Sequence, residues 1–205
     1  MKLGILNYDC GNIWSVKNAF DYFKVDTKII STEKEILNSD CLVLPGDGSY
    51  KMIKEIKKKK LIESLDYMAK TKQIPILGIC LGMQLFGTSS EETNFSDEGL
   101  NWISGKLTKF NIKKKIPHIG FNSLLNFKND KLFYNIDNLS KFYFVHSYYF
   151  HAENKKDVIA ETKYDIFFPS VIKKENIVGT QFHPEKSQNH GIQFLYNFLN
   201  SYGLL

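Results

Sequence analysis

The sequence predicts an α/β fold: a mostly parallel doubly wound sheet flanked by helices, with a smaller, partly antiparallel β extension in the second half. Three observations carry that expectation. Short apolar runs alternate with helical patterns through the first half and are joined by short connections, the mark of successive strand–helix–strand units. Residues 74–86, Ile-Pro-Ile-Leu-Gly-Ile-Cys-Leu-Gly-Met-Gln-Leu-Phe, read as strand, sharp turn and helix. From about Leu100 the chain changes character and breaks into shorter β-like pieces between turn residues.

Taken in order, Lys2–Leu6 is a short strand, and residues 7–12 form a polar turn into a helix whose Val16, Ala19, Phe20 and Phe23 recur at i, i+3, i+4 and i+7. Val25–Ile30 alternates as a second strand, and Thr32 with Glu35 forms a capping box for a short helix. Cys41–Leu44 is apolar throughout, as a parallel strand buried on both faces is. Pro45-Gly-Asp-Gly48 follows, then helical pattern through Met52, Ile53 and Ile56 and again through Leu61, Ile62, Leu65 and Met68. In the second half the strand-like pieces are 107–112, the aromatic run 142–150, 158–161 and 167–172, expected to build the smaller sheet. Residues 177–182 return as a strand that delivers His183-Pro184-Glu185, and a closing helix carries Ile192, Leu195, Phe198 and Leu199 on one face.

Composition bounds the function. A chain of 205 residues with 43% apolar content can bury one full core, so a single domain over 1–205 is expected. Its cysteines, at 10, 41 and 80, have no metal-ligand spacing; their odd number and the lack of a signal-like segment point to a reducing cytoplasm. No apolar stretch is long enough to cross a bilayer. The net charge of +5 comes largely from lysine runs at 57–60 and 113–115, which read as solvated faces; they are not interleaved with a nucleic-acid-binding signature. Neither a metal nor a cofactor is expected, because the five histidines and the carboxylates show no tight ligand spacing.

The chemistry centres on Cys80. Gly78-x-Cys80-x-Gly82 is the thiol form of a nucleophile elbow: so tight a turn calls for residues without Cβ on either side, and it lifts Sγ clear of the sheet. The start of the following helix presents unpaired N–H groups that favour thiolate over thiol. A cysteine nucleophile also needs a base, and the base needs a group to fix its tautomer. In an extended segment, residues i and i+2 point the same way, so Glu185 can reach the imidazole of His183 from behind, with Pro184 stiffening the geometry. Cys10 and Cys41, which have no such turn, read as structural. His118 and His146 read equally as shapers of the site and as hydrogen-bonded structural residues, and His151 and His190 as surface residues.

These motifs, with Asn7-Tyr8, Gly11-Asn12, Pro45-Gly46-x-Gly48, Glu98-Gly99-Leu100, Ile116-Pro-His-Ile-Gly120, Tyr143-Phe-Val-His-Ser147 and Gln181-Phe-His-Pro-Glu-Lys-Ser187, resemble the class I (triad) glutamine amidotransferases almost end to end. Pro-His-Ile-Gly and Phe-Val-His-Ser narrow the resemblance to the glutaminase subunits of imidazole glycerol phosphate synthase. The resemblance implies that Cys80 attacks the side-chain amide of glutamine, His183 shuttles the proton and Glu185 orients His183. It implies an oxyanion hole of backbone N–H groups from Leu81 and the Asp47–Gly48 loop, and glutamine contacts from Gly48, Gln84, Glu98 and Ser147. It also implies a (β/α)8-barrel cyclase as heterodimer partner, receiving ammonia near Asn12, Phe121, Tyr143 and Lys186. Two residues depart from the family pattern: Asp47 stands where an apolar residue is usual, and Phe121 where tryptophan is usual. A carboxylate facing a forming oxyanion would oppose it, so the Asp47 side chain is expected to point away from Sγ. The departures keep open the same chemistry in a paralogous complex, amidating a bacterial surface sugar. A non-catalytic subunit and a cysteine peptidase are less favoured, given the intact triad and its flanking motifs.

Overall fold

Alternation of apolar runs with helical patterns builds the first half as expected. The computed structural model describes residues 1–9 and 11–205, so Cys10 and its predicted structural role lie outside it. Strand β1 (Lys2–Leu6) leads to helix α1 (Ile13–Asp21), β2 (Asp26–Ile30), α2 (Glu33–Leu37) and β3 (Cys41–Leu44). Helices α3 (Ile53–Lys58) and α4 (Ile62–Asp66) precede β4 (Ile76–Ile79) and the one-turn α5 (Leu81–Gln84). The capping box is present: Glu35 N–H donates to Thr32 Oγ1, and Thr32 N–H to Glu35 Oε2. Hydrogen bonds from the backbone of Ser31, from the Thr32 side chain and from the Thr32 backbone hold the Glu35 carboxyl below its usual range.

The second half supplies β5 (Ser89–Ser90), β6 (Gly105–Lys109), β7 (His118–Ser123), β8 (Lys141–His146), β9 (Tyr148–Ala152), β10 (Val158–Tyr164), β11 (Ile166–Lys174), β12 (Ile177–Thr180) and helix α6 (Gln188–Ser201). The main sheet has seven strands in the order β10-β11-β12-β4-β3-β1-β2, with β12, β4, β3, β1 and β2 parallel. Strands β5, β6 and β9 form a second sheet, and β7 with β8 a third.

Period-two alternation explains why both faces of the main sheet are covered. Cys41, Val43, Leu77 and Ile79 join one core with Val16 and Phe20 of α1 and Phe194 and Phe198 of α6. Leu42, Leu44 and Ile76 join the opposite core with Ile53 and Ile56 of α3 and Leu65 of α4. Burial in that first core pushes the Cys41 thiol well above its usual range, in keeping with a structural role.

Two expectations for the second half need correction, and one strand was not foreseen. Segments 158–161 and 167–172 do not belong to a smaller sheet; they lie within β10 and β11, a hairpin that extends the main sheet antiparallel through β12. Phe168 of β11 packs into one core and Ile172 into the other, so this edge is covered on both faces. The aromatic run 142–150 is two strands broken at Ser147, β8 pairing with β7 and β9 with β6. Phe142, Phe144, His146 and Phe150 keep one phase across the break, so alternation carries no sign of it. Strand β7, which buries only His118 and Ser123 along its length, has no apolar alternation to announce it.

Candidate active site

Adjacent parallel strands end at the same level, and that levelling assembles the site. Strands β4 and β12 are neighbours with Ile79 opposite Thr180, and the Cys80 N–H donates to the Thr180 carbonyl at 2.7 Å. Cys80 therefore leaves β4 at the height where residues 181–183 leave β12. Catalytic groups of open parallel sheets gather at such carboxyl ends.

The turn at Cys80 is strained as an elbow should be. Its φ of 50° and ψ of −101° lie outside the regions an L residue favours. A Cβ on Gly78 would overlap the Phe86 ring, and one on Gly82 would overlap the Leu44 carbonyl, so close approach is what demands these glycines. With α5 only one turn long, and with no capping bond from the Cys80 side chain to it, the helix start offers Sγ no long summed dipole. Cys80 is 7% exposed, its Sγ accepting from Gln181 Nε2 at 3.5 Å. The Val145 carbonyl of β8 lies 4.0 Å from Sγ.

His183 is anchored through its backbone, its N–H donating to Tyr143 O at 2.9 Å and its carbonyl accepting from the Ser187 hydroxyl. The imidazole Nδ1 lies 2.8 Å from Glu185 Oε1, and the Glu185 side chain is wholly buried. That carboxylate fixes the Nδ1–H tautomer and leaves Nε2 facing the thiol. Burial lowers the imidazole pKa, but a Cys80 thiolate, through charge and hydrogen bonding, and Glu185 together outweigh it and push it up to about 10. The arrangement thus favours the protonated imidazole and sets a proton donor beside the nucleophile.

Asn12 donates from Nδ2 to Glu185 Oε1 at 2.7 Å, so a residue expected near a partner surface also holds the carboxylate that orients His183. The expectation for Asp47 concerned Sγ alone, and the structure adds a contact that it did not foresee, with the base. Asp47 Oδ1 lies 3.4 Å from His183 Nε2 and its Oδ2 2.9 Å from Lys186 Nζ, so the carboxylate faces the imidazole. Among the described residues it makes no hydrogen bond to Sγ. The Asp47 carbonyl accepts from Gly11 N–H at 3.2 Å; in a trans peptide the Gly48 N–H then points the opposite way, away from the β1–α1 loop.

The other sequence-derived site residues divide. Leu81 is buried directly after the elbow, with Gly46 packed against it. Gln84 is buried and donates to Tyr148 O and Gln181 Oε1, both at 3.2 Å. Ser147 occupies the break between β8 and β9, two residues beyond Val145. Glu98 is exposed, its carbonyl accepting from Lys57 Nζ, and among the described residues no hydrogen bond or ion pair joins its carboxylate to the other site groups. Tyr143 sits 6.5 Å from the His183 ring, centroid to centroid, and 5.6 Å from Phe121, which is 49% exposed.

Sequence reasoning passed over Gln181, which bonds both Sγ and Gln84. The i, i+2 rule that pairs His183 with Glu185 pairs Gln181 with His183 equally well. It also left undecided the roles of His118 and His146, which form a buried pair beside the site with His118 Nδ1 3.1 Å from His146 Nε2. His146 Nδ1 lies 2.9 Å from Tyr148 O, so it carries the proton, Nε2 accepts from His118, and both rings are neutral.

Comparison with known proteins fits this geometry. The family model for glutamine amidotransferase class-I matches residues 6–201. The imidazole glycerol phosphate synthase subunit HisH of Pelagibacter ubique (strain HTCC1062) is 43% identical, covering 98% of this chain and 100% of its own. The subunit of the same name from Leptospira borgpetersenii is 40% identical, over 96% of this chain and 98% of its own. Among solved structures, a glutamine amidotransferase superposes with a TM-score of 0.76 at 15% identity, covering 98% of each chain. PurLQS from Thermotoga maritima gives 0.74 at 16% identity, covering 97% of each, and at such identities the likeness speaks for the fold. A match that starts in the first strand, takes in the elbow and His-Pro-Glu and ends in the closing helix leaves one conclusion: the chain belongs to the class-I glutamine amidotransferase family.

Proposed function

We propose that this chain is the glutaminase subunit of an imidazole glycerol phosphate synthase, hydrolysing glutamine to glutamate and ammonia for a (β/α)8 cyclase partner in histidine biosynthesis. The observation that carries the reading is the convergence of Cys80, His183 and Glu185 at the carboxyl ends of two adjacent parallel strands. The full-length relatives named above as synthase subunits support that assignment, and no observation favours the paralogous sugar-amidating complex.

The geometry performs the reaction in two halves. The Cys80 thiolate attacks the side-chain amide carbon of glutamine, and the carbonyl π pair moves onto oxygen, where N–H groups of Leu81 and Gly48 are assigned to receive it. Each such donor contributes roughly 3 kcal/mol to transition-state stabilisation. As the tetrahedral species collapses, the C–N bond breaks and the His183 Nε2 proton passes to nitrogen, releasing ammonia and leaving a thioester. Neutral His183 then takes a proton from water, whose oxygen attacks the thioester; collapse releases glutamate and restores the thiolate–imidazolium pair. Glu185 holds the ring throughout and keeps its charge. Gln84, Gly48, Glu98 and Ser147 are proposed to hold glutamine; Asn12, Phe121, Tyr143 and Lys186 are proposed to face the partner.

Release of glutamate from glutamine by the chain mixed with its cyclase subunit tests the assignment directly. Glu185→Gln is expected to lower kcat by about 10²-fold or more, because the tautomer is no longer fixed by a charge. Its thermal unfolding should remain cooperative. Undiminished turnover in this variant would remove Glu185 from the mechanism.

A further inference from the structure

His183 carries a carboxylate at each nitrogen, and only one is needed to fix the tautomer. Glu185 Oε1 lies 2.8 Å from Nδ1, and Asp47 Oδ1 lies 3.4 Å from Nε2. The second contact is at the nitrogen whose proton the leaving amine must receive. We propose that Asp47 is a positioning residue of the catalytic imidazole, a second carboxylate that stabilises the resting imidazolium more than the transition state and so restrains amide cleavage. The inference rests on the reading of Cys80 and His183 as an amide-cleaving pair.

The argument is one of charge along the reaction. The imidazolium charge exists in the resting pair and is consumed as the Nε2 proton moves to the leaving nitrogen. A carboxylate beside Nε2 therefore favours the ground state, and an interaction stronger there than in the transition state slows the step. The same carboxylate adds negative charge near a carbonyl oxygen that is becoming negative, which raises the barrier further.

The site keeps this restraint partial. Lys186 Nζ, 2.9 Å from Asp47 Oδ2, neutralises part of the carboxylate's charge, and the Asp47 and Lys186 side chains are each about one-third exposed (34% and 32%). Solvent further screens the contact. Asp47 is also pinned as backbone, through its carbonyl and Gly11, so its side chain is presented to the ring by a fixed loop. Among the described residues, the titratable groups that face His183 are Cys80 from the β4 exit, Asp47 from the loop after β3, and Tyr143 and His146 from β8. Glu185 belongs to its own segment, with Lys186 acting through Asp47.

Asp47→Asn keeps the shape and removes the charge, and two readouts of the full chain with its cyclase subunit separate the outcomes. The first is the titration of the His183 ring, followed by nitrogen NMR of histidine-labelled protein. Losing a neighbouring negative charge should lower its midpoint by about half a pH unit or more. The second is steady-state glutamine hydrolysis, where kcat should rise by about threefold or more, with KM changing less. An unmoved ring midpoint, or a fall in kcat, would overturn the proposal. A lowered midpoint with no glutamate released by either protein would support the charge coupling and count against the glutaminase reading instead.

Discussion

Replacing Cys80 by alanine is expected to lower glutamine hydrolysis by at least about 10⁴-fold, since the variant lacks the thiol that, among the described residues of the site, forms the thioester. The loss should be confined to that half-reaction. Cys80 is 7% exposed and sits in a turn held by its N–H bond to Thr180 and by the packing of Phe86 and Leu44, none of which alanine removes. Binding to the cyclase and synthesis driven by added ammonia should therefore persist at the wild-type rate. Measuring both reactions on the same preparation makes the test sharp. If ammonia-dependent synthesis is lost as well, Cys80 has a structural part in the complex that the geometry does not account for. If glutamine hydrolysis survives, the nucleophile is elsewhere.

How much of this was legible in the chain follows from which physical signals are local. The elbow was readable because a strand that must end in a tight turn and a helix start leaves glycines at fixed offsets from the cysteine. His183 with Glu185 was readable because extended backbone has a period of two. Strands β1, β3 and β4 were readable because a parallel strand buried on both faces is apolar at nearly every position. The split of 142–150 was not, since its buried residues keep one phase through Ser147 and only the partner strands differ. The hairpin β10–β11 was readable as strands but not as part of the main sheet, because sheet membership is decided by the β11–β12 register, a contact between segments.

The same limit applies to side chains. Asp47 stood out in the sequence as a charge in an apolar position, and the expected remedy was to turn it away from Sγ. The structure satisfies it with Lys186, far away in sequence, and in doing so aims the carboxylate at His183. Electrostatic neighbours of that kind are set by which strand ends lie side by side, information that residue spacing does not hold.

The buried histidine pair leads to a prediction about stability in acid. Burial, with Lys114 adding to it, lowers His118 to about 4. Burial, reinforced by His118 and His183 against a hydrogen bond with Tyr148, lowers His146 to about 3. Tyr164 and Phe144 stack on His118, Asn122 Nδ2 lies 3.4 Å from its Nε2, and among the described residues no carboxylate pairs with either ring. In the unfolded chain both rings titrate near 6.5. Between that value and 3–4 the unfolded state binds protons that the folded state refuses, so this pair costs no stability above about pH 6.5 and an increasing amount as pH falls through the window. The loss should be on the order of 3 kcal/mol for each ring by pH 4, enough together to consume a large part of an ordinary domain's stability. Urea unfolding at pH 7 and pH 4.5 measures it. His146→Gln should be less stable than wild type at pH 7, by about 1–2 kcal/mol for the disturbed hydrogen bonds, yet lose less on acidification because one depressed group is gone. Equal losses in the two proteins would mean that the pair is not what the fold yields to in acid, and that His146 accepts a proton in place without cost.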